Sequence, residues 1–388
     1  MSSPVVYPSS KFGSTTSKRA LAPDLARGLM LGLIALANVG LYLYAREYGF
    51  RQQIVESEPI NQLTRALTTL LVDGRAYPLF AALFAFGMMQ IYQNQQRRGV
   101  LLRRCGWLAV FGLIHAALLF PGDILGTYAL VGLMVVALRN ASDRALLCWA
   151  AGWFAATGLI AAAINYDVGP HEDRHYMWSF TMDEPLQALG WRLIDWLHVP
   201  FGVTGVFSAA MVGMWAARHG ILHNPGNHLH LLLITAVAGL SLGFAGAAPA
   251  AFVAGGLWAP DTGALIGALH AVTGILGGIG YLAAITLFAQ HLQQRSGYVT
   301  AALAACGARS LTCYLAQSFV FVALFVPYTL GLGATIGSAA AALIALCTWV
   351  ATVVAAWVMA RCHYAGPAEI AIRRLTYRTP RASVRLES

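Results

Sequence analysis

His115 and Asp123 flank the turn in the apolar stretch LIHAALLFPGDILGTYALVGL, and they are the first place to look for chemistry. An imidazole, with an ordinary pKa of about 6.5, exchanges protons near neutral pH. A carboxylate held against it fixes the ring and stabilises the imidazolium that forms when the ring acts as a general base. Each residue also has a structural use. A neutral histidine ties helices together by hydrogen bonds, and an aspartate at the start of a helix caps free backbone N–H groups. Thr127 lies one helical turn beyond Asp123 on the same face with Tyr128 beside it, so the two extend a polar pocket. Asn38, Arg309 and Gln317, with Thr127 and Tyr128, are the candidate substrate-binding residues. Interhelical hydrogen bonding is the ordinary role of Asn38, His198, His270, Gln317 and Ser318.

The positions of the pair follow from the segment around it. Residues Arg97 to Asn140 read as two membrane helices joined at Pro121-Gly122-Asp123, with Arg97, Arg98, Arg103, Arg104 and Arg139 at the opposite end. The Arg-rich end is expected in the cytoplasm. The chain of 388 residues is 58% hydrophobic and 11% charged, with a mean hydropathy of +0.63, which is a polytopic membrane composition. At about 20 residues per crossing, the apolar runs give an all-α protein of about ten spans with both termini cytoplasmic. The spans are expected at about 24–45, 77–92, 144–164, 193–217, 231–254, 263–290, 303–326 and 336–361, with the hairpin supplying two more. Asp24 is expected to cap the first, and the 263–290 span to tilt or break near Gly277 and Gly278. An interfacial helix is expected around Ile60 to Val72, and residues 166–192 form the longest external loop. Residues 1–23 read as a disordered cytoplasmic tail, 24–377 as one transmembrane domain and 378–388 as a basic cytoplasmic tail.

This topology puts every Lys and Arg inside except Arg46, Arg51, Arg65, Arg75, Arg174 and Arg192. The net charge of +9 is thereby explained by orientation and not by nucleic acid, since no basic patch is interleaved with aromatics. The six cysteines fall in spans or at their cytoplasmic ends and read as packing residues. The sequence HEDRH at 171–175 and the inner-loop histidines His219, His223, His228 and His230 read as solvated loop residues, and no metal is expected. There is no P-loop, and GILGGIG lies in an apolar span without the strand-turn-helix context of a dinucleotide site. Glu369 and Arg373 are spaced to pair along a juxtamembrane helix.

Several separated pieces resemble the bacterial YeiB-like family of multi-pass membrane proteins: RALAPDLARG with Asn38 downstream, YPLFAALFAFGM, the hairpin, GARSLTCYLAQS and GPAEIAIRRLTY. That family is similar to the transmembrane acyltransferases that include heparan-alpha-glucosaminide N-acetyltransferase. The match rests on Asp24, Arg27, Gly28 and Asn38, and the first histidine of this chain is His115. The resemblance implies movement of an acyl group from a cytoplasmic thioester to an acceptor in the envelope or membrane. His115 would then deprotonate the acceptor, Asp123 would stabilise the imidazolium, and Arg309 with the basic inner loops would attract the phosphates of an acyl-coenzyme A donor. No tightly bound cofactor is expected, and the partners are membrane lipids, the donor and the acceptor. The expected location is the bacterial inner membrane. The alternative is a transporter or exporter in which the same buried residues carry protons or touch the solute.

Overall fold

In hydrocarbon, a backbone can satisfy its own N–H and C=O groups only as helix or closed barrel, and this chain takes the first route. The computed structural model describes residues 21–167, 171, 174, 176–292 and 297–377. Most of both expected tails and residues Glu172, Asp173 and His175 lie outside those described. Among the described residues all regular structure is helical apart from isolated bridges from Tyr48 to Ile54 and His171. The helices are α1 (Leu21–Val39), α2 (Pro59–Leu71), α3 (Ala76–Gln95), α4 (Arg98–Leu118), α5 (Ile124–Leu138), α6 (Asp143–Ile164), α7 (Pro185–Trp196) and α8 (Val199–Gly202). They continue as α9 (Thr204–Arg218), α10 (Leu229–Ala254), α11 (Ala264–Leu292), α12 (Tyr298–Ala308), α13 (Ser310–Phe325), α14 (Ser338–Arg361) and α15 (Pro367–Tyr377).

Among the described residues seven helical segments are long and apolar enough to cross a membrane, and α12 with α13, bent by 85° at Arg309, makes an eighth if the pair is one span. This is a multi-pass membrane protein. The expected continuous span over 193–217 is instead broken into α7, α8 and α9, and the 303–326 span is broken at Arg309, while α11 runs unbroken through Gly277 and Gly278. The helix α5, at 15 residues, is shorter than a full crossing, as is α9, also at 15. Asp24 does not cap the first helix, because α1 begins at Leu21 and carries Asp24 within its first turn, where it pairs with Arg27 at 3.2 Å.

Helices surrounded by lipid gain little from burying apolar surface, so small residues that permit close packing matter more. A side chain on Gly28 of α1 would collide with the Leu303 carbonyl, and one on Gly307 with the Asp24 carbonyl, so α1 and α12 touch backbone to backbone. Arginines tie the helix ends together. Arg192 donates to the Leu118 carbonyl at the end of α4 (3.1 Å) and to the Tyr328 hydroxyl, while Arg218 donates to the carbonyls of Arg139 (2.9 Å) and Ala141 (2.6 Å) after α5. Both ends of the hairpin are thus clamped from outside it.

The helix α2 is amphipathic in the reverse of the usual sense. Asn61, Arg65 and Thr69, at one-turn spacing, are buried, whereas Ile60, Leu63, Leu67 and Leu71 face outward. The expected interfacial helix therefore turns its polar face into the protein and its apolar face toward lipid.

Candidate functional site

The turn between α4 and α5 brings its two ionisable residues into contact. His115 lies in the last turn of α4, and the chain leaves that helix through Leu119 and Phe120, whose N–H groups both return to the His115 carbonyl. Asp123 is the N-cap of α5, its Oδ2 accepting from Gly126 N at 2.6 Å. Its other oxygen lies 2.9 Å from His115 Nδ1. The two structural and chemical uses of Asp123 therefore coexist in one carboxylate. Both residues are 2% exposed. With Asp123 ionised the carboxylate only accepts, so Nδ1 carries the proton, and in the neutral ring Nε2 holds the lone pair. Nε2 is buried and has no hydrogen-bond partner among the described residues.

The close approach of α4 to the start of α5 depends on Gly112, one turn before His115. A Cβ there would meet Asp123 Oδ2 and the Gly126 nitrogen. Around the pair stand polar atoms that also lack partners among the described residues: the Tyr314 hydroxyl, the Tyr42 hydroxyl and Trp196 Nε1. The Tyr314 ring centroid is 4.8 Å from that of His115. Trp196 Nε1 is beside Gly126, 3.1 Å from where a Cβ would stand. Neither Tyr314 nor Trp196 is prominent in the sequence. The signal for Tyr314 is its position one turn before Gln317 and Ser318, so that its hydroxyl shares their face of a membrane helix.

Tyr314 also lines a cavity of about 1040 Å³. The cavity rises from the Arg-rich end, where Arg27, Arg104, Arg373 and Arg374 line it, past Phe80, Phe84 and Leu108, to Ile124, Leu125, Tyr128 and Tyr314 beside the pair. Tyr128 stacks between Phe80 (5.5 Å) and Phe84 (5.3 Å) and donates to the Tyr77 carbonyl at 3.3 Å. Tyr77 donates its own hydroxyl to Asn38 Oδ1. On the other side of His115, toward the turn end, Tyr42 packs with Phe120, Phe180, Phe321 and Phe325 at centroid distances of 5.6, 4.4, 5.7 and 6.1 Å. Phe120 is in turn 6.4 Å from the His115 ring. The dyad thus sits between a cavity with a basic mouth and a cluster of five aromatic rings.

The remaining sequence candidates are placed as follows. Tyr128 lines the cavity, and Asn38 is reached through Tyr77. Thr127 donates back to the Asp123 carbonyl at 3.4 Å. Gln317 is buried and donates to Thr352 Oγ1 at 3.3 Å, away from the dyad. Arg309 is occupied by backbone: Nε and Nη2 donate to the Tyr364 carbonyl at 2.9 and 2.6 Å, and Nη1 to the Ala305 carbonyl at 3.1 Å. The basic residues at the cavity are others. Glu369 does not pair with Arg373. It accepts from Leu311 N at 2.8 Å, Thr312 N at 3.2 Å and the Thr312 hydroxyl, capping α13 at the bend and pinning α15 across the cavity mouth. At the far end of α15, Arg103 donates to the Thr376 carbonyl at 3.0 Å. Among the described residues no three His, Cys, Asp or Glu side chains are grouped to hold a metal.

Part of the wall of this cavity, at the end of α12, the start of α13 and along α15, lies in the segment where the family match falls. Residues 216–379 match the family described as protein of unknown function (DUF418). It is the YeiB-like family that the sequence resembles. The chain is also 25% identical over 395 residues to the uncharacterized protein YxaH of Bacillus subtilis strain 168, covering 93% of this chain and 95% of that one. That alignment is long enough to take in the hairpin, whereas the DUF418 match begins after it. The DUF418 segment supplies the bend at Arg309, Tyr314 and the α15 strap, and the residues before it supply the dyad.

Proposed function

We propose that this protein is a membrane-embedded acyltransferase in which His115 is the general base and the cavity receives an acidic, amphiphilic acyl donor. The observation that carries this reading is the buried His115 with Nδ1 bound to Asp123 and Nε2 unpartnered, next to Tyr314 at the apex of a cavity lined at its mouth by four arginines. Guanidinium groups match phosphate oxygens bidentately, and the apolar walls above them suit a chain or thioester. In the step proposed, Nε2 takes the proton of an acceptor hydroxyl or amine as its oxygen or nitrogen attacks the thioester carbonyl. The carbon–sulfur bond breaks, and the thiolate leaves with the proton returned from the imidazolium. Asp123 holds the ring in the reacting tautomer and stabilises the imidazolium. The donor is of the acyl-coenzyme A class, and the acceptor is an envelope or membrane-associated molecule.

The proposed setting is the bacterial inner membrane. The Arg-rich cavity mouth and both termini are cytoplasmic, and α5 and α9 serve as short crossings to complete ten. Reporter fusions at Gln95, Ala141 and Asn224 should report cytoplasm, and labelling of the 176–184 segment from the cytoplasm would refute the orientation. The chemistry is tested by mass spectrometry of lipids and envelope glycans from a deletion strain. An acyl mass should be missing and should return with the wild-type protein but not with His115→Ala. Unchanged lipid and glycan profiles, or full rescue by His115→Ala, would refute acyl transfer at this site.

A further inference from the structure

Beside the dyad, the first turn of α5 presents groups with no part in the proton transfer just described. The N–H groups at the start of a helix have no intrahelical acceptor. In α5 the Asp123 carboxylate takes one of them, accepting from Gly126 N at 2.6 Å. Among the described residues nothing accepts from the N–H groups of Ile124 and Leu125. Both residues are buried, and both line the cavity where it reaches the pair. This turn is anchored to His115: the Asp123 carboxylate lies 2.9 Å from Nδ1, and the Ile124 nitrogen is the next backbone atom after the Asp123 carbonyl carbon.

Tyr314 approaches the same place from α13. It is 2% exposed, its hydroxyl has no hydrogen-bond partner among the described residues, and its ring centroid is 4.8 Å from that of His115. It lines the cavity together with Ile124, and its hydroxyl faces the Ile124 N–H without closing a hydrogen bond to it. Two donors from separate helices, one a hydroxyl and one a backbone N–H, are therefore held next to the unpartnered Nε2 of the base. Buried donors left unpaired are unfavourable, so the arrangement calls for an oxygen supplied by a ligand. A thioester under attack supplies one, because negative charge develops on its carbonyl oxygen and donors placed in advance stabilise it there.

We propose that the Tyr314 hydroxyl and the Ile124 N–H form the oxyanion hole of the transfer step, which makes Tyr314 a catalytic residue and places the thioester carbonyl at the head of α5. The assignment rests on the acyl-transfer reading. As the acceptor oxygen or nitrogen bonds to the carbonyl carbon, its proton passes to His115 Nε2 and the carbonyl π electrons move onto oxygen. That oxygen accepts from Tyr314 and Ile124. When the carbonyl re-forms, the carbon–sulfur bond breaks and the sulfur takes the proton back from the imidazolium. Tyr314 keeps its own proton throughout.

The test uses the full-length protein in a neutral detergent, with acetyl-coenzyme A as donor and an envelope extract of the deletion strain as the source of acceptor. Coenzyme A release gives the rate. Tyr314→Phe should lower the maximal rate roughly 10²–10³-fold and leave the donor concentration for half-maximal rate near its wild-type value. Its pH profile should also keep the wild-type position, because the base is unchanged. Ile124→Pro deletes the second donor. Proline suits the first helical position, and Asp123, at φ −60° and ψ 129°, already has the extended conformation required before it. Ile124→Ala loses the side chain but keeps the N–H, so Ile124→Pro should be roughly a hundredfold slower than Ile124→Ala. In infrared difference spectra, acetyl-coenzyme A labelled with a heavy isotope at the carbonyl should show a stretch below that of the free thioester when bound to the wild type or to His115→Ala. In Tyr314→Phe the stretch should return toward the free value. A wild type that neither binds acetyl-coenzyme A saturably nor releases coenzyme A would overturn acyl transfer and the oxyanion hole with it. An active wild type with Tyr314→Phe as fast as wild type and Ile124→Pro as fast as Ile124→Ala, or a displaced pH profile in Tyr314→Phe, would overturn the oxyanion hole alone.

Discussion

Replacing Asp123 by Asn exchanges one carboxylate oxygen for an NH2 group and separates the chemical from the structural role of this residue. The carboxylate now accepts from Gly126 N at 2.6 Å and from His115 Nδ1 at 2.9 Å. The amide has one acceptor and one donor, so it can keep only one of these bonds unchanged. Asn ranks with Asp as an N-cap, so the bond to Gly126 is retained and α5 still starts where it does. The amide nitrogen then faces His115 Nδ1, which must lose its proton and become the acceptor. The proton moves to Nε2, and the lone pair that would receive the acceptor's proton is gone. A hydrogen bond to a charged group contributes about 1.5–3 kcal/mol, which alone is roughly a ten- to hundredfold loss in imidazolium stabilisation. In Ser-His-Asp sites the corresponding change, with its wrong tautomer, costs about 10⁴ in rate. Asp123→Asn is therefore expected to lower acyl transfer by roughly 10³–10⁴ while the protein still inserts and elutes as a single species. The assay is recovery of the acylated product in the deletion strain, read beside detergent size-exclusion profiles. Wild-type product levels with Asp123→Asn would refute the assignment of the dyad.

Gly112→Ala should act on the same site from the packing side. Its Cβ meets Asp123 Oδ2 and the Gly126 nitrogen, and an overpacking cost of about 1–3 kcal/mol should appear as a lower Tm together with loss of product. Tyr314→Phe removes a buried hydroxyl with no partner among the described residues, so Tm should hold or rise while product falls; a fall in Tm with unchanged product would reverse the role given to Tyr314. Glu369→Gln weakens the cap on α13 by about 1.5–3 kcal/mol, and hydrogen exchange should accelerate over 367–377 before it does so over α13. Equal exchange rates in the two proteins would show that the cap does not hold the strap.

What was legible in the sequence was local. The dyad could be read because a short turn forces residues on either side of it together, whatever the rest of the chain does. The apolar runs gave the helical class for the same reason, since each helix satisfies its own backbone. The misreadings arise where partners are distant in sequence. Arg309 looked available because it is charged and near a membrane face, but the Tyr364 carbonyl, far along the chain, claims it. Glu369 was matched to Arg373 by spacing, and the backbone of α13 competes better because its first turn presents free N–H groups. The helix expected at 60–72 is α2, and what the sequence left open was where its polar residues face. In a membrane protein such residues turn inward as well as toward water, and composition alone does not distinguish the two.

The five rings of the Tyr42 cluster have an electrical consequence. A cavity of this depth, when wetted from its basic mouth, carries the potential of that side of the membrane close to His115. The membrane voltage then falls mainly across the short stretch of rings beyond it, at about 2.3 kcal/mol per elementary charge for each 100 mV. Their tight, apolar packing would insulate such a cavity from the opposite face of the membrane.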